Sequence, residues 1–456
     1  MQERVRLTSR QINHDLLNFV LVTPLWFWVV AAVLGVVVGI AAIVVAILVI
    51  FGLGFLGLDH PVFWAFLITN FVFWVGISHA GVMISAILRL TQAEWRRPVT
   101  RAAEVLTIFS LATAALMPLI HTGRQWRALY WIFPYDIFRG IWPNVRSALI
   151  WDPSAIFTYL TSSSLFVYVA LVPDLAVARD HSTGWRRSLY SVLALGFNGN
   201  KRQWRLQAIA GILLSALILP IFVSVHTIVS WDFASAIVPA WHSTIFAPYF
   251  VIGAVHSGVS AVVTVMVLLR RFLHFEKYIT PDHFDALGRL LVAVGTTWFF
   301  FFVIDFVFAA YSQDTADLAV LNARTFVWPF NLLSIIFLLA AYFIPVPMWL
   351  FRGVRRSPML MLVTTLLVNL GMWLERFLII VPGLLYKEKD SFMWGSYTPT
   401  ISEYAIVIGS VAFVALGFLI FAKLFPIIPI YDMKEGQTLQ DEIAVGRREV
   451  PAIIKD

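Results

Sequence analysis

The apolar positions of the chain form long, nearly uninterrupted runs that alternate with short polar segments. Each run can cross a hydrocarbon core of about 30 Å as a helix of about 20 residues. The ten-residue alternation that is typical of membrane β-barrels does not occur, and a helix satisfies its backbone hydrogen bonds internally, so the runs are predicted as helices. The ten predicted spans are residues 25–53, 62–89, 102–120, 153–178, 206–229, 245–272, 288–311, 326–350, 358–381 and 401–424.

A short repeat divides these helices into two groups. Residues 75–82 (VGISHAGV) resemble residues 252–259 (IGAVHSGV), and the copies lie on the second and sixth helices, so both run in the same direction. We therefore predict an all-α integral membrane protein with two parallel-repeated four-helix bundles, helices 2–5 and 6–9, flanked by peripheral helices 1 and 10. The predicted units are an N-terminal segment (1–24), peripheral helix 1 (25–58), a first bundle (59–230), a second bundle (231–383), an outer loop with helix 10 (384–424) and a tail (425–456).

The composition agrees with a membrane protein and excludes a water-soluble one. Of the 456 residues 60% are hydrophobic and 13% charged, against about 25% charged in soluble domains. The absence of cysteine excludes disulfides and thiolate-ligated zinc or iron–sulfur sites in this sequence. With the N-terminus placed inside, inner segments hold 25 of the 33 Lys and Arg residues and outer loops hold 7. Both termini are predicted to be cytoplasmic, and the basic balance is a topology signal that does not imply nucleic acid.

The outer segment from His121 to Asp152 differs from the other loops. It reads HTGRQWRALYWIFPYDIFRGIWPNVRSALIWD and holds four Trp, two Tyr and four of the seven outer cations. Any single Trp or Arg here could belong to an interfacial aromatic belt. A long loop with this density of aromatic and charged side chains is more typical of a functional site.

Ionisable side chains inside the spans are functional candidates because they are costly in lipid. His79 and His256, beside glycines, can equally be satisfied core histidines, and Asp174 near a helix end is expected at the interface. Glu375 and Arg376 are about 100° apart on a helix and are expected to face different neighbours. The candidates for a proton path are His79, Glu104, His256, Asp305 and Glu375.

Haem and metal sites are not predicted in the chain. A two-haem bundle needs two helices that each carry a histidine pair about 13 or 14 residues apart, and only His242 and His256 have this spacing. Nucleotide-binding, metal-ligand and Ser–His–Asp patterns are also absent from the sequence.

Three segments carry a family resemblance: TAALMPLIHTGRQWRALYWIFPY, GIWPNVRSALIWD and LVPDLAVARD. In them the chain resembles the ActC membrane subunit of bacterial alternative complex III, within the NrfD or polysulfide-reductase membrane-subunit family. The resemblance implies a subunit of a respiratory or photosynthetic complex in the bacterial inner membrane that oxidises menaquinol at the outer face. It also implies non-covalent menaquinone as cofactor. The partners it implies are c-type cytochromes with haem c, an extrinsic iron–sulfur subunit, a homologous membrane subunit, small membrane subunits and lipid.

Quinol oxidation releases two protons, so each hydroxyl needs a proton acceptor. His121 ends the third predicted helix and Asp152 begins the fourth, so the chain can bring them to one pocket, and we predict them as the catalytic pair. Arg124 can orient the quinone ring or instead form a salt bridge with Asp136 or Asp152. The predicted quinone-binding residues are Arg124, Trp126, Tyr130 and Trp131.

Three other functions stay open at the level of sequence. One is a sister NrfD-like subunit with a structural or proton-conducting role, and another is a family member that reduces quinone. The third is a secondary transporter, for which broken helices should occupy matching positions in both halves. Pro118 and Pro220 are not paired in this way.

Overall fold

The computed structural model describes residues 7–123, 125–127, 140, 148–386, 396–438, 442–445 and 448–451. This part of the chain is helical except for one short C-terminal hairpin, and it contains ten helices that are long and apolar enough to span a membrane. The prediction of an all-α integral membrane protein with ten spans is confirmed. The proposed repeat, the unit boundaries and the cytoplasmic position of the termini stay predictions.

The helices are numbered in chain order. The ten spans are α2, α3, α4, α5, α7, α8, α9, the segment from α11 to α12, α14 and α15. The bounds are α1 Ser9–Leu21, α2 Leu25–Phe51, α3 Ala65–Leu90, α4 Thr100–His121, α5 Ala148–Asp180, α6 Gly184–Leu193, α7 Lys201–Ala234, α8 Phe246–Phe272, α9 Pro281–Ser312, α10 Thr315–Phe326, α11 Phe330–Leu338, a π turn Leu339–Phe343, α12 Pro345–Trp349, α13 Arg352–Arg355, α14 Pro358–Leu385, α15 Ile401–Leu424, α16 Ile430–Thr438, β1 Glu442–Val445 and β2 Arg448–Pro451.

Several helices begin at polar caps rather than at the first apolar residue. Thr8 and Asn200 each accept a hydrogen bond from the backbone three residues later and form a capping box with a glutamine. Thr400 forms the same motif with Glu403. These caps satisfy the free N–H groups of the first turn, and they explain why α7 begins at Lys201, before the apolar run from residue 206.

Eight of the spans pack as two rings of four helices. Helices α3, α4, α5 and α7 form one ring, and α8, α9, α11–α12 and α14 form the other. The rings meet where α3 packs along α8. At Gly76 on α3, an added Cβ would lie 3.6 Å from Ala254 Cα and 3.5 Å from Ser257 Oγ on α8. The similar segments 75–82 and 252–259 therefore lie at the contact between the two rings.

The first and last spans lie outside the rings. Helix α2 packs mainly against α15, with Ala41 against Gly409, and α15 packs against α3 and α4. Most of α2 is exposed, including Val36 and Ile43, as is expected for a helix that faces lipid. A deep groove lies between the helix pair α2 and α15 on one side and the two rings on the other.

The helices run between two ends of the molecule. We call the end at which the N-terminal helix α1 and the C-terminal helix α16 meet the terminal end, and the opposite end the distal end. At the terminal end, Lys423 Nζ donates hydrogen bonds to Phe19 O at 2.6 Å and Val20 O at 3.1 Å. The Arg97 side chain donates to Glu435 on α16 at 2.7 Å. The distal end carries the last turn of α4 and the first turns of α5, and therefore His121 and Asp152.

Candidate functional site

His121 lies on the last turn of α4, against an aromatic wall. Its ring centroid is 5.5 Å from that of Trp64 and 6.5 Å from that of Phe71, both of which precede or belong to α3. Nδ1 of His121 is buried and has no hydrogen-bond partner among the described residues. The side chain therefore offers an unused donor or acceptor beside a flat ring surface.

Asp152 lies near the start of α5, is 8% exposed, and is hydrogen bonded to Asp232 on α7. Two carboxyl groups can form a hydrogen bond only when one of them holds a proton. Oδ1 of each residue is buried and has no partner in the described part of the chain. The pair is therefore a buried site at which two carboxyl groups share a proton.

Sequence reasoning missed Asp232, although the sequence contains a signal. The dipeptide Trp–Asp occurs twice, at residues 151–152 and 231–232. The structure brings the two copies together, since the rings of Trp151 and Trp231 lie 6.2 Å apart at an interplanar angle of 69°. An aspartate that repeats the context of a predicted catalytic residue on an antiparallel helix is a reasonable candidate partner.

The predicted ring-binding residues are only partly described. Trp126 lies on a short 3-10 turn, Gln125–Arg127, and its side chain is 56% exposed. Arg124, Tyr130 and Trp131 lie outside the described residues, as does Asp136. Trp64, which was not predicted from the sequence, is the described aromatic side chain that faces His121.

Two histidines meet in the core of the first ring. The ring centroids of His79 on α3 and His226 on α7 are 4.6 Å apart, and that of Tyr159 is 5.0 Å from His79. Nδ1 of His79 is hydrogen bonded to Val75 O. Nε2 of His79 and both ring nitrogens of His226 lack a partner at hydrogen-bonding geometry within the described chain. The two histidines therefore form a buried pair in the core of the first ring.

A carboxylate site occupies the second ring. Glu375 on α14 accepts hydrogen bonds from Tyr249 OH and from Trp298 Nε1, the latter at 3.0 Å. Arg376 Nη1 lies 3.4 Å from Glu375 Oε2, and the guanidinium covers the ring of Phe250 at 4.5 Å. The two side chains therefore have different neighbours, as expected, and they also contact each other. The long arginine side chain reaches back toward the carboxylate despite the angle between the two positions.

His256 adjoins this carboxylate site. Its ring stacks on Trp298 with centroids 5.7 Å apart and an interplanar angle of 15°, and its Nε2 lies 3.0 Å from Ala341 O. Nδ1 is buried without a partner among the described residues. Trp298 therefore contacts both His256 and Glu375.

Asp305 lies toward the distal end of the second ring. Ser243 is hydrogen bonded to it, and the positive charge of Arg324 on α10 attracts it. Arg324 also donates to Ile379 O at 3.4 Å. Burial lowers the pKa of Arg324, while Asp305 acts in the opposite direction. The pair connects the buried carboxylate site with the distal end.

Glu104 and Asp174 lie toward the terminal end of the first ring. Glu104 is buried and accepts a hydrogen bond from Ser85 on α3. Asp174 is also buried, in an ion pair between its Oδ2 and Arg101 Nη1. The helix α16 covers this end of the ring, and the Tyr431 N–H donates to Asp174 Oδ1 at 2.9 Å, so Asp174, which was expected at the interface, is buried within the protein.

The covering helix α16 is held by charges. Arg97 contacts Glu94 and Glu435, each at 2.7 Å. Burial opposes the charged form of Arg97, but the two carboxylates outweigh it and raise its pKa. Burial, followed by the charges of Glu435 and Asp432, raises the pKa of Tyr431 to about 12. The terminal end of the first ring is therefore closed by charged and hydrogen-bonded contacts.

Comparison with known proteins identifies the family. The model of the family described as "Polysulphide reductase, NrfD" matches residues 54–387, about three quarters of the chain. The chain belongs to the NrfD family. A putative membrane subunit of a dimethyl sulfoxide reductase from Halobacterium salinarum is 25% identical over 239 residues, which are 52% of this chain and 49% of that protein. The chain thus matches about half the length of this curated relative.

As a member of the NrfD family with ten apolar helices among its described residues, the chain is a multi-pass membrane protein. Subunits of this family associate with extrinsic iron–sulfur subunits in reductase complexes. The matched residues cover both rings and therefore the buried histidines and carboxylates of the rings described above.

Proposed function

We propose that this protein is the quinol-oxidising subunit of its complex and that menaquinol binds at the distal end of the first ring. The observation that carries the proposal is the buried carboxyl pair of Asp152 and Asp232, which lies at the same end of the ring as His121, whose Nδ1 has no partner among the described residues. Buried polar atoms without partners are rare in folded proteins. A ligand with two hydroxyl groups would satisfy them.

The chemistry that these residues can perform is the removal of protons. Oxidation of a quinol to a quinone releases two protons and two electrons, and each hydroxyl transfers its proton to a positioned acceptor. His121 accepts one, and the Asp152–Asp232 pair accepts the other. Trp64 supplies a flat surface for the ring. The electrons pass to an extrinsic iron–sulfur subunit and from there to c-type haems.

A second candidate differs in the final electron acceptor. The matched relative from Halobacterium salinarum is a putative membrane subunit of a dimethyl sulfoxide reductase. A reductase consumes electrons, so a membrane subunit that supplies it also oxidises a membrane carrier. The site chemistry would be the same, and the complex would deliver electrons to a terminal reductase rather than to c-type haems.

Substitution of the proton acceptors tests the proposal in the assembled complex. His121→Ala and Asp152→Asn should each lower menaquinol oxidation by about 10²- to 10⁴-fold, the range for loss of general acid–base catalysis. His14→Ala, at a histidine with a 78% exposed side chain, and Asp180→Asn, at an exposed aspartate on the opposite end of α5, are matched controls. Near-normal turnover of either site variant in a correctly assembled complex would refute the assignment.

The proposed function includes a coupled proton route through both rings. The buried groups form three separate clusters along the two rings: Glu104 with Ser85, His79 with His226, and Glu375 with Trp298, which stacks on His256. Asp305 lies near the distal end of this series. The unpaired histidine nitrogens favour a role in proton transfer over a purely structural one.

The proton route has its own experiment. Glu104→Gln and Asp305→Asn, each in the complete complex in proteoliposomes, should lower the number of protons translocated per electron while quinol oxidation continues. Both substitutions preserve side-chain size and remove the ionisable group. An unchanged proton-to-electron ratio in both variants would exclude this route and leave quinol oxidation at the distal site unaffected.

A further inference from the structure

A second candidate ligand site lies between the peripheral helices and the rings. A cavity of about 1220 Å³ extends from Phe19 and Trp26 at the terminal end to Tyr397 and Pro399 at the distal end. Side chains of α2, α3, α8, α14 and α15 line it, and they are almost all apolar. His121 and Asp152 are not among the lining residues, so this groove is separate from the proposed quinol-oxidising site.

Two of the side chains that line the groove carry buried polar atoms without a partner among the described residues. Asn369 and Trp373 both line the groove, and they are four residues apart on α14, so they lie on one face of that helix. The Asn369 amide nitrogen donates to Thr365 O at 2.9 Å, which leaves Oδ1 as an acceptor. Oδ1 of Asn369 and Nε1 of Trp373 are buried and have no partner among the described residues. Within the described part of the chain, these two side chains therefore present an unpaired acceptor and an unpaired donor to the groove.

The depth of these atoms restricts the ligand. Helix α14 has 28 residues, Pro358–Leu385, and is about 42 Å long at 1.5 Å per residue. Asn369 and Trp373 flank its midpoint. The hydrocarbon core extends about 15 Å on either side of its centre, so phospholipid head groups and esters stay out of reach. A ligand that satisfies both atoms must carry a hydroxyl or carbonyl group to the middle of the membrane.

The walls around these atoms suit a planar ring. Trp373 stacks on Phe377 with centroids 6.1 Å apart and an interplanar angle of 8°. Phe66 meets Trp373 edge-on at 5.0 Å, and Tyr404 meets Phe66 edge-on at 5.2 Å. Aromatic rings favour such offset and edge-on contacts with a further ring. The apolar groove beyond the cluster can hold a long hydrocarbon tail.

We propose that this groove binds a second, non-reacting molecule of an isoprenoid quinol. One hydroxyl donates to Asn369 Oδ1 and accepts from Trp373 Nε1–H, and the isoprenoid tail follows the groove toward one end. The choice of quinol as the carrier rests on the proposed function, whereas the polar pair at mid-depth, the aromatic walls and the apolar groove are independent of it. The site would hold a reserve of substrate beside the rings.

Retention of quinol by the complete complex tests the proposal. The complex is reconstituted in nanodiscs of defined phospholipid with menaquinol, and quinol bound per complex is measured after extraction. Trp373→Phe and Asn369→Leu, separately, should each weaken retention of one equivalent by about tenfold, which corresponds to about 1.4 kcal/mol. Turnover at saturating menaquinol should not change. The control is Trp74→Phe, because Trp74 also lines the groove but its Nε1 is already paired with Ser410 Oγ at 2.8 Å.

Three results would overturn the proposal. Equal quinol retention in both variants and the wild type would show that the two atoms bind no quinol. Loss of a tightly bound phospholipid, or of a partner protein, with quinol retained would show that another occupant fills the groove. Because retention is measured without turnover, the result does not depend on whether His121→Ala abolishes oxidation, and the two proposals can fail separately.

Discussion

Replacement of Asp174 by Asn should loosen the cover over the terminal end of the first ring. Asp174 joins three parts of the structure, since it pairs with Arg101 on α4, belongs to α5, and accepts from the Tyr431 N–H at the start of α16. Asparagine can still accept that backbone hydrogen bond. Asparagine cannot neutralise Arg101, so the substitution removes the negative charge of residue 174 and leaves its backbone hydrogen bond in place.

The magnitude follows from the burial of the pair. The side chains of Arg101 and Asp174 are each 1% exposed. Removal of one partner from such a buried pair costs about 3–5 kcal/mol, because the remaining charge stays out of water. Arg101 keeps its hydrogen bond to Ala170 O at 2.8 Å, which does not neutralise it. At about 1.4 kcal/mol per tenfold change, α16 should detach roughly two to four orders of magnitude more often.

Limited proteolysis and thermal unfolding of the purified complex measure this effect. Asp174→Asn should expose the segment after residue 425 to cleavage and lower the unfolding midpoint. The matched control is Asp180→Asn on the same helix, whose partner Arg179 is near the surface and whose own side chain is 62% exposed. An exposed pair contributes about 0–1 kcal/mol. If both variants behave like the wild type, the buried pair does not hold the C-terminal helix, and the reasoning is wrong.

Two further substitutions follow from the packing and the site. Asp232→Asn removes the partner with which Asp152 shares a proton, so menaquinol-dependent reduction of the electron acceptor should fall about 10²- to 10⁴-fold; unchanged turnover would mean that the carboxyl pair takes no part. Gly371→Ala would place a Cβ 2.7 Å from Ala341 N and should destabilise the second ring by about 1–3 kcal/mol. The control is Gly35→Ala, whose added Cβ meets nothing within 4 Å. This control variant should be neutral or stabilising by up to about 1 kcal/mol. Unfolding midpoints in detergent compare the two glycine variants, and equal shifts would contradict the close contact.

The ten spans could be predicted because hydropathy reports burial in lipid directly. Their ends were less predictable, since a capped helix continues into water. Asn200 caps α7 well before the apolar run predicted from residue 206. The helices α1 and α10 are too short or too polar to give a membrane signal, although α10 supplies Arg324 to the second ring. Hydropathy therefore located the membrane part of the chain and missed the elements that close its ends.

The sequence predicted at which end of the helices the candidate site lies, but it did not predict which helices lie side by side there. Chain order places His121 and Asp152 at one end of neighbouring helices, which is where the structure has them. It does not reveal that α7 lies beside α5, and this adjacency is what brings Asp232 to Asp152. Chain order also does not reveal that α16 covers Asp174, because that contact depends on tertiary packing.

The contact between the rings explains how polar groups of two separate cores can act together. Helices α3 and α8 approach closely because Gly76 meets Ala254 without a side chain between them. On the first-ring side of this contact His226 lies beside His79 and 6.0 Å from the ring of Phe250 on α8, which the guanidinium of Arg376 covers. A larger residue at position 76 would separate the helices and weaken that interaction. The small residues shared by the two similar segments therefore serve more than packing, since they set the distance across which the two buried polar systems influence each other.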